Sequence, residues 1–362
     1  MTATWTTDVS STRARAWLFA LGFVLVVLSG YRWGVAATAW IAPVPFLLLM
    51  RGATSWKFRG LVLAVLTVAS IVLVGKIITA PLPLIMAVPF ALPAALGGWL
   101  VLLGSEWVRR RTSDVVGVLA FAALTALGEA VSHQSMPLGT WSTLAVTQVD
   151  HLALLQLASI TGVAGIGFVM SLVAGSVASV AARGIDRTSR RLSIATVLLV
   201  GAVLTFGSLR LYGSQGAPTV RAAAVVTAIG LGADGVPAAD VMARNTDDLF
   251  ARSARAAQMG AQLVAWNEAA TFVRADEEAS LRARGQAFST SANVDLVMAY
   301  AVVTSESPLL FDNKYVWFAA GGDELETYRK HHPVPGEPSM RGTAPLIAHD
   351  RAWGRAAGAI CY

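Results

Sequence analysis

Long apolar runs dominate the first 212 residues of the chain. A membrane span needs roughly 20 largely apolar residues to cross about 30 Å of hydrocarbon. The pattern predicts seven spans, with approximate bounds 16–31, 34–50, 60–80, 83–103, 115–132, 159–182 and 193–212. The first two are short and closely spaced, which is typical of a tight helical hairpin.

The pattern changes from residue 219, where short apolar runs of strand character alternate with longer stretches of helical character. The predicted strands are 220–226, 263–266, 294–304, 313–320, 326–330 and a final run, 354–362; the predicted helices are 238–259 and 276–292; and 305–312 is turn-rich. Alternating strands and helices are typical of a layered α/β domain. We therefore predict a membrane domain over 1–218 and an α/β domain over 219–362.

Composition and charge support this division. The chain is 55% hydrophobic and 14% charged, whereas soluble domains carry about 25% charged residues. This excludes a single soluble globule, and the high hydrophobicity excludes disorder. Residues 1–218 have a net charge of +9 and residues 219–362 have −3. The basic residues of the first part lie in short clusters between apolar runs, so we predict no nucleic-acid partner.

The distribution of these clusters predicts the orientation in the membrane. Twelve Lys and Arg residues lie on the side of the N-terminus, whereas the opposite connections carry Arg32 and Lys76. Positively charged loops stay cytoplasmic. The N-terminus is therefore expected inside, and after seven crossings the chain beyond residue 212 is expected outside the cytoplasm.

The connection over 133–158 is apolar and aromatic, unlike a solvated loop. Two interpretations remain open: it packs against the extracytoplasmic domain, or it is an interfacial segment that admits lipid. Glu129, near the end of the fifth span, is expected to be solvated or hydrogen-bonded rather than catalytic.

Three residues of the second half are candidates for chemistry. Glu268 follows a predicted strand, and Lys330 and Cys361 end two others. Singly, each has an ordinary structural role: a helix N-terminal acid, a surface lysine and a small core residue. Together they supply a nucleophile, a base that takes its proton and a cation that stabilises an oxyanion. Cys361 is the one cysteine, so no intrachain disulfide forms, and no metal or phosphate motif is evident, so we expect no cofactor.

Five stretches carry a resemblance to a known family. They are IAPVPFLLL (41–49), the stretch from GTW to GFV (139–169), LVAWNEAA (263–270), YRKHHPVPGEP (328–338) and AICY (359–362). In order and context they resemble the nitrilase superfamily of carbon–nitrogen hydrolases, and most closely its membrane branch, the apolipoprotein N-acyltransferases. The implied fold class is a multi-span α-helical membrane domain followed by a nitrilase-like α/β sandwich domain.

The resemblance implies an acyl transfer in a bacterial cell membrane. The Cys361 thiolate would take an acyl chain from a phospholipid donor as a thioester and pass it to a diacylglyceryl apolipoprotein acceptor. Glu268 would act as general base and then acid, and Lys330 would stabilise the oxyanion. The match also carries over Glu337 as a supporting residue and includes Tyr362 beside the nucleophile.

The chain departs from the family pattern in three places. Asn267 stands where the family usually has proline, and the lysine loop lacks an aromatic residue. The chain also stops at Tyr362, whereas the family continues with an acid, further strands and a last span. We therefore expect an incomplete nitrilase-like domain. Two alternatives to acyl transfer remain: a membrane-anchored nitrilase-type amidase and an inactive truncated membrane protein.

Overall fold

A computed structural model describes residues 11–78, 82–135, 139–141, 143–213, 219–227, 229, 235–334 and 336–360. The chain divides into two compact units, Met1–Gln215 and Gly216–Tyr362.

The first unit is helical. Its helices are α1 (Thr12–Leu28), α2 (Ala36–Ala39), α3 (Val44–Arg51), α4 (Trp56–Gly75), α5 (Ala87–Arg111), α6 (Asp114–Ser135), α7 (Leu152–Leu155), α8 (Ala158–Arg183) and α9 (Arg187–Gly213). Short 3₁₀ helices, Leu84–Met86 and Leu144–Gln148, precede α5 and α7. Among the described residues, five helices are long and apolar enough to cross a membrane: α4, α5 with its preceding 3₁₀ turn, α6, α8 and α9. The protein is therefore a membrane protein.

The first two predicted spans differ from these five. Helix α1 has 17 residues, and the second predicted span consists of α2 and α3 separated by a turn. Pro43 and Pro45 lie at this break. Proline lacks a backbone N–H and disfavours helical geometry in the residue before it, which explains why one continuous helix does not form.

Helix α8 is the central helix of the membrane unit. About 61% of its apolar window is buried inside the unit, against 17–22% for the other four long helices. It contacts α3, α6, α7 and α9. The outer four therefore present most of their apolar surface outward, as lipid-facing helices do.

The connection between α6 and α8 packs within the membrane unit. Ala145 and Leu154 are buried in an apolar cluster with Ile166 and Met170 of α8. Glu129 of α6 is hydrogen-bonded, since its Oε1 accepts from the Leu144 amide at 2.7 Å. Residues 136–138 and 142 of this connection lie outside the described residues.

The second unit is an α/β structure. Its elements are β1 (Ala222–Val225), α10 (Ala239–Gln258), β2 (Leu263–Trp266), β3 (Phe272–Arg274), α11 (Glu278–Ala292), β4 (Asp295–Glu306), β5 (Leu309–Phe318), β6 (Glu324–Arg329), β7 (His349–Arg351) and β8 (Gly354–Ala356). The main sheet has the order β1-β2-β4-β5-β6, with β3 also pairing β4. Strands β1 to β4 are parallel, and β5 and β6 extend the sheet in antiparallel order beyond β4.

The two faces of this sheet bury different partners. One face packs on α10 and α11 through residues such as Leu249, Leu281 and Met298. The other face holds Tyr315, Trp317 and Tyr328, packed with Ile360. The predicted fold class, a multi-span helical membrane domain followed by an α/β domain, is confirmed.

Several predicted strand limits were wrong. The turn predicted over 305–312 is confined to two residues, because β4 continues to Glu306 and β5 begins at Leu309. The final run, 354–362, is a strand only over Gly354–Ala356; residues 357–360 follow without regular structure. Strands β3 and β7 were not predicted, since three residues each are too few to show an alternating pattern.

Gly207 of α9 offers a test of the packing of α7. A Cβ there would collide with the Ala153 carbonyl oxygen, whereas a Cβ at Gly201 of the same helix would meet nothing within 4 Å. We expect Gly207→Ala to lower the free energy of unfolding by about 1–3 kcal/mol through overpacking. Gly201→Ala should be neutral or stabilising, because alanine favours a helix. Thermal unfolding of both variants in detergent measures this, and equal behaviour would contradict the packing described.

Candidate active site

Glu268 lies at the carboxyl edge of the parallel strands. Strand β2 ends at Trp266, whose indole Nε1 donates to the buried Ser253 Oγ at 2.9 Å. The chain then turns sharply, with Ala269 at a φ of +47°. The turn leads into β3 and not into a helix, so the interpretation of Glu268 as a helix N-terminal acid is wrong.

Lys330 is buried immediately after β6. The residue is only 2% exposed. Its backbone N–H donates to the Asn313 carbonyl at 2.8 Å, and its carbonyl accepts from the Gly342 amide at 2.7 Å. A surface lysine is therefore excluded, and the side chain is aimed inward from a fixed backbone.

The Lys330 ammonium lies between two carboxylates. Its Nζ donates to Glu268 Oε1 at 2.7 Å and to Glu337 Oε2 at 2.6 Å. Glu337 is itself held in place, because Oε2 also accepts from the Val334 amide at 3.0 Å and Oε1 accepts from Ser339 Oγ at 2.8 Å. The interpretation of Glu337 as a surface loop acid is thus excluded: its side chain is 9% exposed.

Asn313 completes the cluster. The residue lies on β5, and its Nδ2 donates to Glu268 Oε1 at 2.7 Å and to Glu337 Oε1 at 3.0 Å. The residue is 2% exposed. Sequence reasoning missed it; the available signal was a pair of polar residues, Asn313 and Lys314, at the start of the run NKYVWFAA.

The pKa shifts of Lys330 and Glu337 favour the ionised form of each. Burial lowers the pKa of Lys330, but hydrogen bonds to Glu268 and Glu337 outweigh it, so the pKa lies above its usual value. Burial raises the pKa of Glu337, but hydrogen bonds from Lys330, Asn313, the Val334 amide and Ser339 outweigh it, so the pKa is lowered. A protonated lysine and an ionised Glu337 are therefore stable together at neutral pH.

One oxygen of Glu268 stays open. Both hydrogen bonds described above use Oε1, and Oε2 accepts none from the part of the chain that the structure describes. The Glu268 side chain is 31% exposed, far more than those of Lys330 and Glu337. The arrangement therefore fixes one oxygen and leaves the other available for proton transfer.

Cys361 and Tyr362 lie outside the described residues, but the chain that leads to them is anchored. Asp295, 2% exposed, accepts two bonds from Arg351 at 2.7 and 2.8 Å and one from Trp353 Nε1 at 3.1 Å. Ile360 is buried in a cluster that includes Tyr328, two residues before Lys330. The residue before Cys361 is thus packed close to the strand that carries the lysine.

Over the described residues of the chain, no group of three or more His, Cys, Asp or Glu side chains is arranged to hold a metal ion.

The lowered pKa of Glu337 gives a pH-dependent prediction. Its contribution to stability is present above the ordinary value of 4.5 and is lost as the pH falls through the lower folded-state value. We expect Glu337→Gln to lower the free energy of unfolding by about 1–3 kcal/mol at neutral pH, and the difference from wild type to shrink well below pH 4.5.

The matched control is Glu306→Gln. Glu306 pairs with Arg274 at the surface, where both side chains are more than half exposed, so the change should cost less than about 1 kcal/mol. Melting temperatures across the pH range measure both variants. A Glu337→Gln deficit that stays constant with pH would contradict an ionised Glu337 in the folded state.

Comparison with known proteins finds a similarity for the membrane unit. Residues 21–176 match the family model described as the apolipoprotein N-acyltransferase N-terminal domain. No curated protein matches the chain.

Solved structures match the chain over part of its length. The NitN amidase from Nesterenkonia sp. AN1 is 19% identical, and the match covers 33% of this chain and 52% of the amidase, with a TM-score of 0.29. Another structure of an amidase from Nesterenkonia sp. is also 19% identical, with 38% and 54% covered and a TM-score of 0.29. The chain therefore spans about half the length of these solved amidases. Over residues 21–176, the membrane unit is therefore similar to the apolipoprotein N-acyltransferase N-terminal domain.

Proposed function

We propose that the protein is an N-acyltransferase that moves an acyl chain from a phospholipid to the N-terminal diacylglyceryl-cysteine of lipoproteins. The observation that carries this proposal is the buried Lys330 ammonium held between Glu268 and Glu337, in a chain whose residues 21–176 match the apolipoprotein N-acyltransferase N-terminal domain. A buried cation with an adjacent, partly open carboxylate supplies the oxyanion donor and the base that acyl transfer to a thiol requires.

In the first half-reaction, Glu268 takes the thiol proton of Cys361. The thiolate attacks the ester carbonyl of the phospholipid, and Lys330 stabilises the negative charge that develops on the carbonyl oxygen. When the intermediate collapses, the C–O bond breaks and Glu268 returns the proton to the departing lysophospholipid oxygen. The acyl chain is then a thioester on Cys361.

In the second half-reaction, the lipoprotein α-amine attacks the thioester. Glu268 accepts the proton that the amine loses, the C–S bond breaks, and the thiolate leaves. The product is an amide. Glu337 and Asn313 do not exchange protons in this scheme; their hydrogen bonds hold Lys330 and Glu268 in place.

The geometry of the carboxylates supports this division of roles. Glu337 has both oxygens occupied and is nearly buried, so it suits orientation of the lysine. Glu268 has one free oxygen and greater exposure, so it suits proton transfer. The membrane unit supports lipid substrates, since an enzyme that acts on two lipids gains from residence in the bilayer.

Acyl labelling tests the proposed chemistry. Membranes that contain the full chain are incubated with phospholipid carrying a labelled acyl chain, and the hydroxylamine-sensitive label on the protein is measured. We expect the wild type to be labelled and Cys361→Ala to carry no such label. Glu268→Gln should slow labelling by about 10²- to 10⁴-fold, the usual effect of removing a general base.

Glu277→Gln is the matched control, because Glu277 is exposed and its side chain accepts from the Arg274 amide, which is not part of the cluster. Its labelling should equal that of the wild type. Label that persists in Cys361→Ala would contradict the nucleophile. Release of ammonia from small amides without acyl labelling would instead favour the membrane-anchored amidase. If neither reaction were observed, the inactive protein would be favoured.

We also propose that the second unit lies outside the cytoplasm, on the bacterial cell membrane. The support is the excess of Lys and Arg at the N-terminal side of the predicted spans. A reporter that is active only outside the cytoplasm, fused after Tyr212, should be active. Activity of a cytoplasm-specific reporter at the same position would contradict this orientation.

A further inference from the structure

Two exposed tryptophans of the membrane unit each carry an arginine on the indole ring. Arg59 Cζ lies 4.7 Å from the ring centroid of Trp56, and Arg111 Cζ lies 4.1 Å from that of Trp107. Trp56 is 69% exposed and Trp107 is 58% exposed. Both distances are within the range of a cation–π interaction, so each ring holds the guanidinium beside it.

The two pairs lie at the same end of the membrane unit. Arg110, next to Arg111 at the end of α5, donates through Nη2 to the carbonyl of Ala53 at 3.0 Å. Ala53 precedes the start of α4, where Trp56 and Arg59 are found. The end of α5 and the start of α4 are therefore neighbours.

The remaining helix ends gather at this end as well. Arg15 at the start of α1 lies over the Phe58 ring of α4 at 5.1 Å. Near the end of α8, Ser179 donates to Asp114, the first residue of α6. The segments 11–15, 51–59, 106–114 and 183–191 thus meet here, with twelve basic residues against three acidic ones.

The stacked arginines differ from their neighbours in their partners. Arg51 pairs with Asp114, and Arg109 and Arg110 both pair with Glu106. Arg59 and Arg111 form no ion pair with any carboxylate in the described residues. No carboxylate of the described residues therefore compensates their charges, and both arginines lie at this end of the helical bundle.

We propose that the pairs Trp56–Arg59 and Trp107–Arg111 bind the phosphate groups of anionic phospholipids in the leaflet at this end. Exposed tryptophan is enriched at the level of lipid headgroups. A guanidinium presents several N–H donors in a fixed plane that matches phosphate oxygens, and an indole beneath it limits the orientations that the plane can take. The net positive charge of this end complements an anionic headgroup and not a zwitterionic one.

Lipid binding by the delipidated full chain tests the proposal. Native mass spectrometry measures the affinity for phosphatidylglycerol and, separately, for phosphatidylcholine. Each surface arginine contributes roughly a fivefold gain for anionic lipid. Removal of two such charges alone accounts for a loss of about 25-fold, so we expect the double variant Arg59→Gln/Arg111→Gln to lose clearly more than about 25-fold in affinity for phosphatidylglycerol, with little change for phosphatidylcholine.

The control double variant is Arg190→Gln/Arg191→Gln. It removes the same charge from the same end, and neither arginine contacts an aromatic ring in the described structure. Its loss of affinity for phosphatidylglycerol should be clearly smaller than that of Arg59→Gln/Arg111→Gln. The double variant Trp56→Leu/Trp107→Leu keeps every charge, and its affinity for phosphatidylglycerol should fall about two- to fivefold through loss of the cation–π contacts. Equal losses of affinity in the two arginine variants, or no loss of affinity in the tryptophan variant, would overturn the proposal. Melting temperatures equal to that of the wild type show that the variants are folded.

Discussion

The candidate site depends on one physical constraint: a lysine ammonium that is almost fully removed from water. Burial of an unpaired charge costs several kcal/mol even after relaxation. The Lys330 side chain is 3% exposed, and two carboxylates within 2.7 Å offset this cost. Both acids must therefore be present, and everything that positions them becomes part of the site.

The sheet supplies that positioning. Lys330 follows β6, Asn313 lies on β5, and Glu268 follows β2, so the cluster draws on three strands and on the loop that carries Glu337. The backbone bond from Lys330 to Asn313 extends the pairing of β5 and β6 by one residue and fixes the base of the lysine side chain. Because Asn313 bonds to both acids, it sets their separation as well.

Part of this arrangement could be predicted from the sequence. The positions of Glu268, Lys330 and Glu337 were predictable because each lies in a motif beside a strand. The burial of Lys330 was not predictable, because a lysine in the polar stretch YRKHH is expected at the surface. Only tertiary contacts with acids distant in the sequence reverse that preference. Asn313 was missed for a similar reason: its role depends on hydrogen bonds to two residues distant in the sequence.

In the membrane half, composition predicted long helices well, but the break at Pro43 between α2 and α3 depends on local backbone geometry that hydropathy does not report.

The central claim is that the lysine–carboxylate cluster activates the thiol of Cys361, and the alkylation rate of that thiol tests it most directly. Cys361 is the chain's one cysteine, so the mass gained with iodoacetamide reports on it alone. Rates are compared near neutral pH for the full wild-type chain, for Lys330→Met, and for both chains unfolded in denaturant. The account predicts that the folded wild type reacts faster than its unfolded chain and that Lys330→Met loses this advantage. Equal rates for the two folded chains would contradict it.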